Sequence, residues 1–221
     1  IAVLFGISGE IFHVTGLPDF KLVPALLVAL VAVLCAFVSI AFCTVLHKTE
    51  ELYKKFFSNP YIRILVGGCL VVLLTCFVGS FDYNGAGMNI IEQCIEGTVK
   101  PEAFLLKIIF TALTIGAGYK GGEIVPTFFV GATFGCLLGQ IIGLSPSLCA
   151  AIGMTALFCG VTNCPISALL ISFELFGYEG MPYYLITIAF SYMLSGYSGL
   201  YRSQKIMYSK YKTDFINRHT K

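Results

Sequence analysis

Charge is scarce in this sequence. Of 221 residues, only 12% are Asp, Glu, Lys or Arg, against 57% hydrophobic, and the mean hydropathy is +0.86. A soluble chain carries about twice that fraction of charge, so these residues are too few to clothe a globule in water. A cytosolic enzyme is excluded, and the solvent that suits the composition is lipid. The net charge of +2 comes with neither a basic stripe nor an acidic tail, which leaves nucleic acid without an electrostatic footprint. Histidines are also few, at three, and the nine cysteines form no CxxC pair. No metal shell can therefore be read from the spacing, no cofactor is expected, and the cysteines read as small hydrophobes packed between helices. The first residue, Ile1, lies in an apolar stretch with neither an initiator methionine nor a basic n-region, as in a chain that starts inside a larger protein.

What the sequence does have is long apolar runs. Leu22 to Leu46 is 25 residues without a charge, enough to cross a hydrocarbon core of about 30 Å with some tilt. The polar, basic stretch His47 to Arg63 follows, and Ile64 to Phe81 makes a second span. Segment 82–102 is Gly-containing and mostly acidic, and Ala103 to Ala117 reads as a third helix interrupted only by Lys107. A lone lysine there needs a carbonyl or carboxylate partner. From Ile124 to Phe173 no acid, histidine, lysine or arginine occurs, but glycines and prolines cut the run. The expected pieces are 126–142, 147–158, 165–177 and 182–195. Pieces too short to cross alone meet end to end inside the membrane, where broken backbone is tolerated only within protein or beside a polar cavity. Such half-helices build ion sites in transporters. Lys48, Lys54, Lys55 and Arg63, with the basic tail from Arg202 onward, place both of those segments on the cytoplasmic side. The membrane domain is expected over residues 1–200, and residues 201–221 as a cytoplasmic-side helix or tail.

The stretch 118–139, GYKGGEIVPTFFVGATFGCLLG, is the most informative. Proline at the first helical position starts a helix without wasting a donor. Pro126 in that place leaves the amides of Ile124 and Val125 free beyond the helix end, where unpaired N–H groups and the macrodipole attract anions. Glu123 immediately precedes those amides. It reads either as an acidic N-cap or as a titrating group on an ion path, and the two roles are compatible. Gly131, Gly135 and Gly139 make a small-xxx-small face that admits another helix closely.

These residues resemble a known family. Gly121-Gly122-Glu123-Ile124-Val125-Pro126 is similar to the GGIFxP motif in the second half of CLC chloride channels and transporters. Gly153 to Phe158 (GMTALF), Asn163-Cys164-Pro165, Phe173-Glu174-Leu175 and Leu200-Tyr201-Arg202-Ser203 resemble further segments of that half, in the family's order. The resemblance implies an all-α membrane protein of tilted and broken transmembrane helices, forming the second inverted repeat of a CLC-type fold. It also implies a homodimer, with helices around 147–175 at the contact, in a bacterial plasma membrane. Glu123, where chloride-transporting members carry an apolar residue, resembles the fluoride/proton antiporter branch. The implied function is proton-coupled fluoride export, with a chloride channel or chloride/proton antiporter as the alternative. The implied partners are fluoride or chloride, protons and lipid. The implied pathway residues are Glu123, Ile124, Val125 and Tyr201, with Tyr208 as the rival central tyrosine, and Gly121, Gly122 and Pro126 shape the helix start. Lys107 is expected to cap carbonyls. The family's first-half motifs, a serine-containing loop and a gating glutamate, are missing from these residues. The chain thus resembles half a transport unit that needs the N-terminal half. An intramembrane enzyme is the weaker alternative, because the apolar core offers no histidine base and no pair of acids at metal-ligand spacing.

Overall fold

A computed structural model describes residues 11–220. Helix α1, Leu22–Phe56, runs 35 residues, about 52 Å at 1.5 Å per residue. It therefore outruns the Leu22 to Leu46 span, and its last turns hold the polar stretch expected as a loop. Nothing between His47 and Phe56 breaks a helix, and Lys54 pairs with Glu50 one turn back at 2.5 Å. Proline and glycine set the other boundaries. Helix α2 (Pro60–Val78) starts on Asn59, whose side chain accepts from the Tyr61 amide, and ends at Gly79 with φ +69°. Only Gly67 and Thr75 of α2 are buried, and Val71, Leu74 and Val78 pack against the core, so much of its remaining apolar surface faces outward.

Segment 82–102 holds a short helix, α3 (Met88–Ile95), which buries Ile91, Cys94 and Ile95. Its apolar residues recur at helical spacing, but a run of eight is too short to stand out in an acidic loop. Helix α4 is Ala103–Gly116 and α5 is Ile124–Ile142. Helices α6 (Pro146–Thr162), α7 (Pro165–Phe176) and α8 (Met181–Leu194) follow. Helices α4 to α8 all match their expected positions within a few residues at each end. By length and hydropathy α1, α2 and α5 could each cross a membrane, whereas α4, α6, α7 and α8 are shorter. The expectation that every piece after Ile124 is too short thus fails for α5, because the helix begins two residues before Pro126 and runs to Gly143.

Helix α6 is the centre of the molecule: every residue from Ser147 to Thr162 is buried, with α5, α1 and α8 as its main neighbours. The α5 contact is backbone on backbone. A Cβ on Gly131 would sit 2.5 Å from the Gly153 oxygen, and one on Gly135 would collide with the Cys149 carbonyl. The small-residue face of α5 therefore has α6 as its partner. Burial of α6 also removes it from any surface contact between copies of the chain. Of the expected 147–175 dimer face only α7 presents apolar side chains outward, with Ile166 75% and Leu170 61% exposed. Six cysteines are buried, as expected of small hydrophobes, but Cys69 and Cys76 face outward from α2.

The tail is not helical. Strands β1 (Lys205–Tyr208) and β2 (Phe215–His219) form an antiparallel hairpin. Ile206 and Tyr208 in β1 and Phe215 and Ile216 in β2 are β-branched or aromatic, residue types that favour strands. The hairpin is tied to the bundle through Lys210, whose Nζ donates to Asn163 Oδ1 at 2.5 Å and to the Tyr192 carbonyl at 2.8 Å.

Candidate ion site at the start of α5

The turn between α4 and α5 is held from both sides. Gly116 packs on Thr49 and Glu50 of α1, and the Arg63 Nε donates to the Ala117 carbonyl at 3.1 Å. The Tyr119 hydroxyl donates to the Ile64 carbonyl at 3.1 Å. Gly118 turns with φ +103°, a backbone state that glycine adopts without strain. Beyond it, Gly121 and Gly122 have open space where a Cβ would stand.

Helix α5 begins at Ile124, so Pro126 is its third residue and not its first. The consequence for donors is the one expected. Thr127 is the first residue whose amide bonds back, to the Glu123 carbonyl at 3.3 Å, and its hydroxyl donates to the same oxygen at 2.9 Å. Proline has no N–H, so the orphan amides of the first turn are those of Ile124 and Val125. Glu123 holds the N-cap position but its side chain makes no capping bond. Nor does its carboxyl join any of the four ion pairs among the described residues. The reading of Glu123 as a side-chain cap is therefore corrected. The residue is in αR conformation, φ −90° and ψ −18°, whereas a capping side chain reaches back from the extended backbone of an N-cap residue.

Two cavities flank this turn. One, of about 780 Å³, is lined by Gly121, Gly122, Glu123, Ile124, Val125 and Tyr201, with His47 and Glu50 from α1, Lys120, and Arg202 among its other walls. The second, of about 510 Å³, also touches Gly121, Gly122 and Val125 and adds Pro126, Lys107, Thr111 and the Asn84–Ala86 turn. Ile115, Gly121, Gly122 and Val125 line both cavities, whereas Glu123 and Ile124 line only the larger one.

All the sequence-derived site residues are thus brought to these two cavities. Tyr201 stands on the wall of the larger cavity, 44% exposed, while Tyr208 lies on β1, with its ring packed edge-on against Phe215 at 5.6 Å. Lys107 is buried and caps carbonyls as expected, donating to Gly85 at 2.7 Å and Tyr83 at 3.2 Å, with its ammonium 4.7 Å from the Phe129 ring centroid. Sequence reasoning missed His47, Glu50, Lys120 and Arg202 as cavity residues. The available signal was an i, i+3 pair, His47 and Glu50, at the polar end of an apolar helix.

The structure is a bundle of apolar helices, three of them long enough to cross a membrane, with the two orphan amides at the start of α5 beside two cavities, an arrangement that fits the class of integral-membrane channels and transporters. Residues 1–196 match the family described as voltage gated chloride channel, and the chain belongs to that family, whose members are integral-membrane channels and transporters. The match ends before Tyr201. The chain is 32% identical over 202 residues to the chloride/fluoride channel protein of Pseudomonas syringae pv. tomato, covering 86% of this chain and 45% of that protein. It is 29% identical to the H(+)/Cl(-) exchange transporter ClcA of Vibrio cholerae, over 57% of this chain and 30% of the other. The fold superposes on the crystal structure of a CLC-type fluoride/proton antiporter with a TM-score of 0.86 and 27% identity, covering 90% of this chain and 51% of that one. A eukaryotic CLC transporter shares the fold, with a TM-score of 0.63 at 24% identity. The chain spans about half the length, or less, of the relatives it matches.

Proposed function

We propose that this chain is the C-terminal half of a proton-coupled fluoride exporter of the plasma membrane of a bacterium, active as a homodimer once joined to an N-terminal half, with Glu123 as the titrating gate. The observation that carries this reading is the Glu123 carboxyl. It stands on a cavity wall beside two orphan amides and is neither capped nor ion-paired. Such a group has two useful states. Protonated, it donates a hydrogen bond, and fluoride accepts hydrogen bonds more strongly than chloride does. Ionised, it competes with the anion for the helix start and repels it. Proton uptake and anion passage are then two faces of one switch. The amides of Ile124 and Val125 and the Tyr201 phenol supply further donors, and Gly121 and Gly122 keep the approach open. The dimer contact uses α7 and not the buried α6.

The test is fluoride efflux from proteoliposomes holding the full-length protein, followed with a fluoride electrode and a proton probe. Glu123→Gln keeps shape and donor but cannot titrate, so it loses proton coupling and retains some anion binding. Glu123→Ala loses more. Wild-type rates and unchanged preference for fluoride over chloride in both variants would refute the assignment. A chloride preference in the wild type would leave the gate and reverse the choice of ion.

A further inference from the structure

The cavity that holds Glu123 also holds an imidazole to which neither the motif nor the gate assigns a part. His47 lies about three-quarters of the way along α1, where the helix leaves its apolar span, and lines the cavity together with Glu50 one turn on. The His47 Nε2 is 3.1 Å from the Leu200 carbonyl oxygen. A carbonyl only accepts, so Nε2 carries the hydrogen and the neutral ring keeps its lone pair on Nδ1. The ring can therefore take up a proton at Nδ1 without giving up the bond that orients it. Glu123 lines the same cavity as His47 and Glu50. The cavity, of some 780 Å³, has room for several waters, each with a share of liquid volume of about 30 Å³. His47 is at the end of α1 whose basic residues mark the cytoplasmic side.

Resting on the reading of Glu123 as the gate, we infer that His47 is the proton acceptor through which Glu123 discharges to the cytoplasm. The carboxylic acid of Glu123 breaks its O–H bond as a cavity water is protonated. That water passes a proton to His47 Nδ1, so a carboxylate and an imidazolium replace an acid and a neutral ring. The imidazolium then returns the proton to cytoplasmic water, and no other reactant is needed. The charges around His47 favour release. Lys120 comes from the α4–α5 turn, and Arg202 from the segment after α8 donates to the His47 carbonyl at 3.4 Å. The opposing acids are Glu123 across the cavity and, on α1, Glu50 and Glu51. Glu50 is engaged by Lys54 and Glu51 is held by Arg202 at 2.7 Å. A loaded imidazole thus meets Lys120, an ammonium in no ion pair among the described residues, and on its own helix carboxylates that are already engaged.

The experiment is coupled fluoride/proton flux through the full-length protein in proteoliposomes, with His47→Gln, His47→Ala and Glu123→Gln compared. His47→Gln keeps an N–H for the Leu200 carbonyl but cannot carry a proton. Its coupled turnover falls at least tenfold, while fluoride affinity and melting temperature stay at wild-type values. In His47→Ala, free imidazole added on the cytoplasmic side restores flux in proportion to its concentration. Wild-type turnover in His47→Gln, or a loss in both variants that imidazole does not relieve, would overturn the inference and leave His47 as an anchor for residue 200. If Glu123→Gln loses coupling while His47→Gln keeps it, only the relay fails. If Glu123→Gln keeps coupling, the gate itself fails.

Discussion

A single methyl group at Gly131 tests the packing on which the whole site rests. Alanine there gains helix propensity of up to about 1 kcal/mol over glycine. Its Cβ, however, would stand 2.5 Å from the Gly153 oxygen, 2.7 Å from the Gly153 carbon and 2.8 Å from the Met154 Cα. Ordinary contact begins at 3.4 Å, so the two helices must part by roughly 0.6–0.9 Å. All three obstructing atoms are backbone, which no rotamer change can clear. Nor can α6 retreat freely, since every residue from Ser147 to Thr162 is buried and α1 and α8 also pack on it, with Gly160, two turns on from Gly153, against Ser39 of α1 and Ser191 of α8. Overpacking of this kind costs about 1–3 kcal/mol, and separating the interface forfeits dispersion contacts along it. The clash wins over the propensity gain, for a net loss of about 1–2 kcal/mol. Gly122→Ala is the control, because nothing lies within 4 Å of its Cβ. Thermal unfolding of the purified full-length protein in detergent, followed by size-exclusion retention, reads both. A Gly131→Ala protein as stable as the wild type, or more so, would show that α5 and α6 do not meet at their backbones.

Two further outcomes concern the loop joining α2 and α4. Lys107→Met removes the donor shared by the Tyr83 and Gly85 carbonyls and leaves both unsatisfied, at a cost of about 2 kcal/mol; an unchanged melting temperature would refute the capping role. The exposed Asp82–Lys100 pair, 3.0 Å apart, holds the Asp82 carboxyl below its usual range, chiefly through the hydrogen bond from Lys100, and raises the Lys100 ammonium by the same bond. Its contribution, below about 1 kcal/mol, is therefore full at neutral pH. It is lost as pH falls through the lowered Asp82 value, or rises through the raised Lys100 value. Asp82→Asn should flatten the acid limb of a stability–pH curve, and an unaltered limb would count against the pair.

The apolar runs, their punctuation and the two orphan amides at the start of α5 were legible in the sequence because each is a local property. Hydropathy chooses lipid, proline and glycine set helix ends, and a proline within the first turn leaves a definite pair of orphan amides whether it stands first or third. The same locality explains the errors. The polar run after Leu46 looks like a loop by hydropathy although nothing in it breaks a helix, and what holds it and the hairpin in place are neighbours distant in sequence: Arg202 reaches Glu51, and Lys210 reaches Asn163. Burial of α6 was not readable either, because a helix apolar all round fits a lipid surface and a protein core equally well. The site shows the division most clearly. Glu123, Ile124 and Val125 are adjacent in the chain and could be named from it, whereas His47 and Tyr201 join them in one cavity only because α4 docks its glycine end against α1 and residue 200 bonds back to that same helix. Proximity of residues far apart in sequence is decided by packing, and packing depends on all the helices at once.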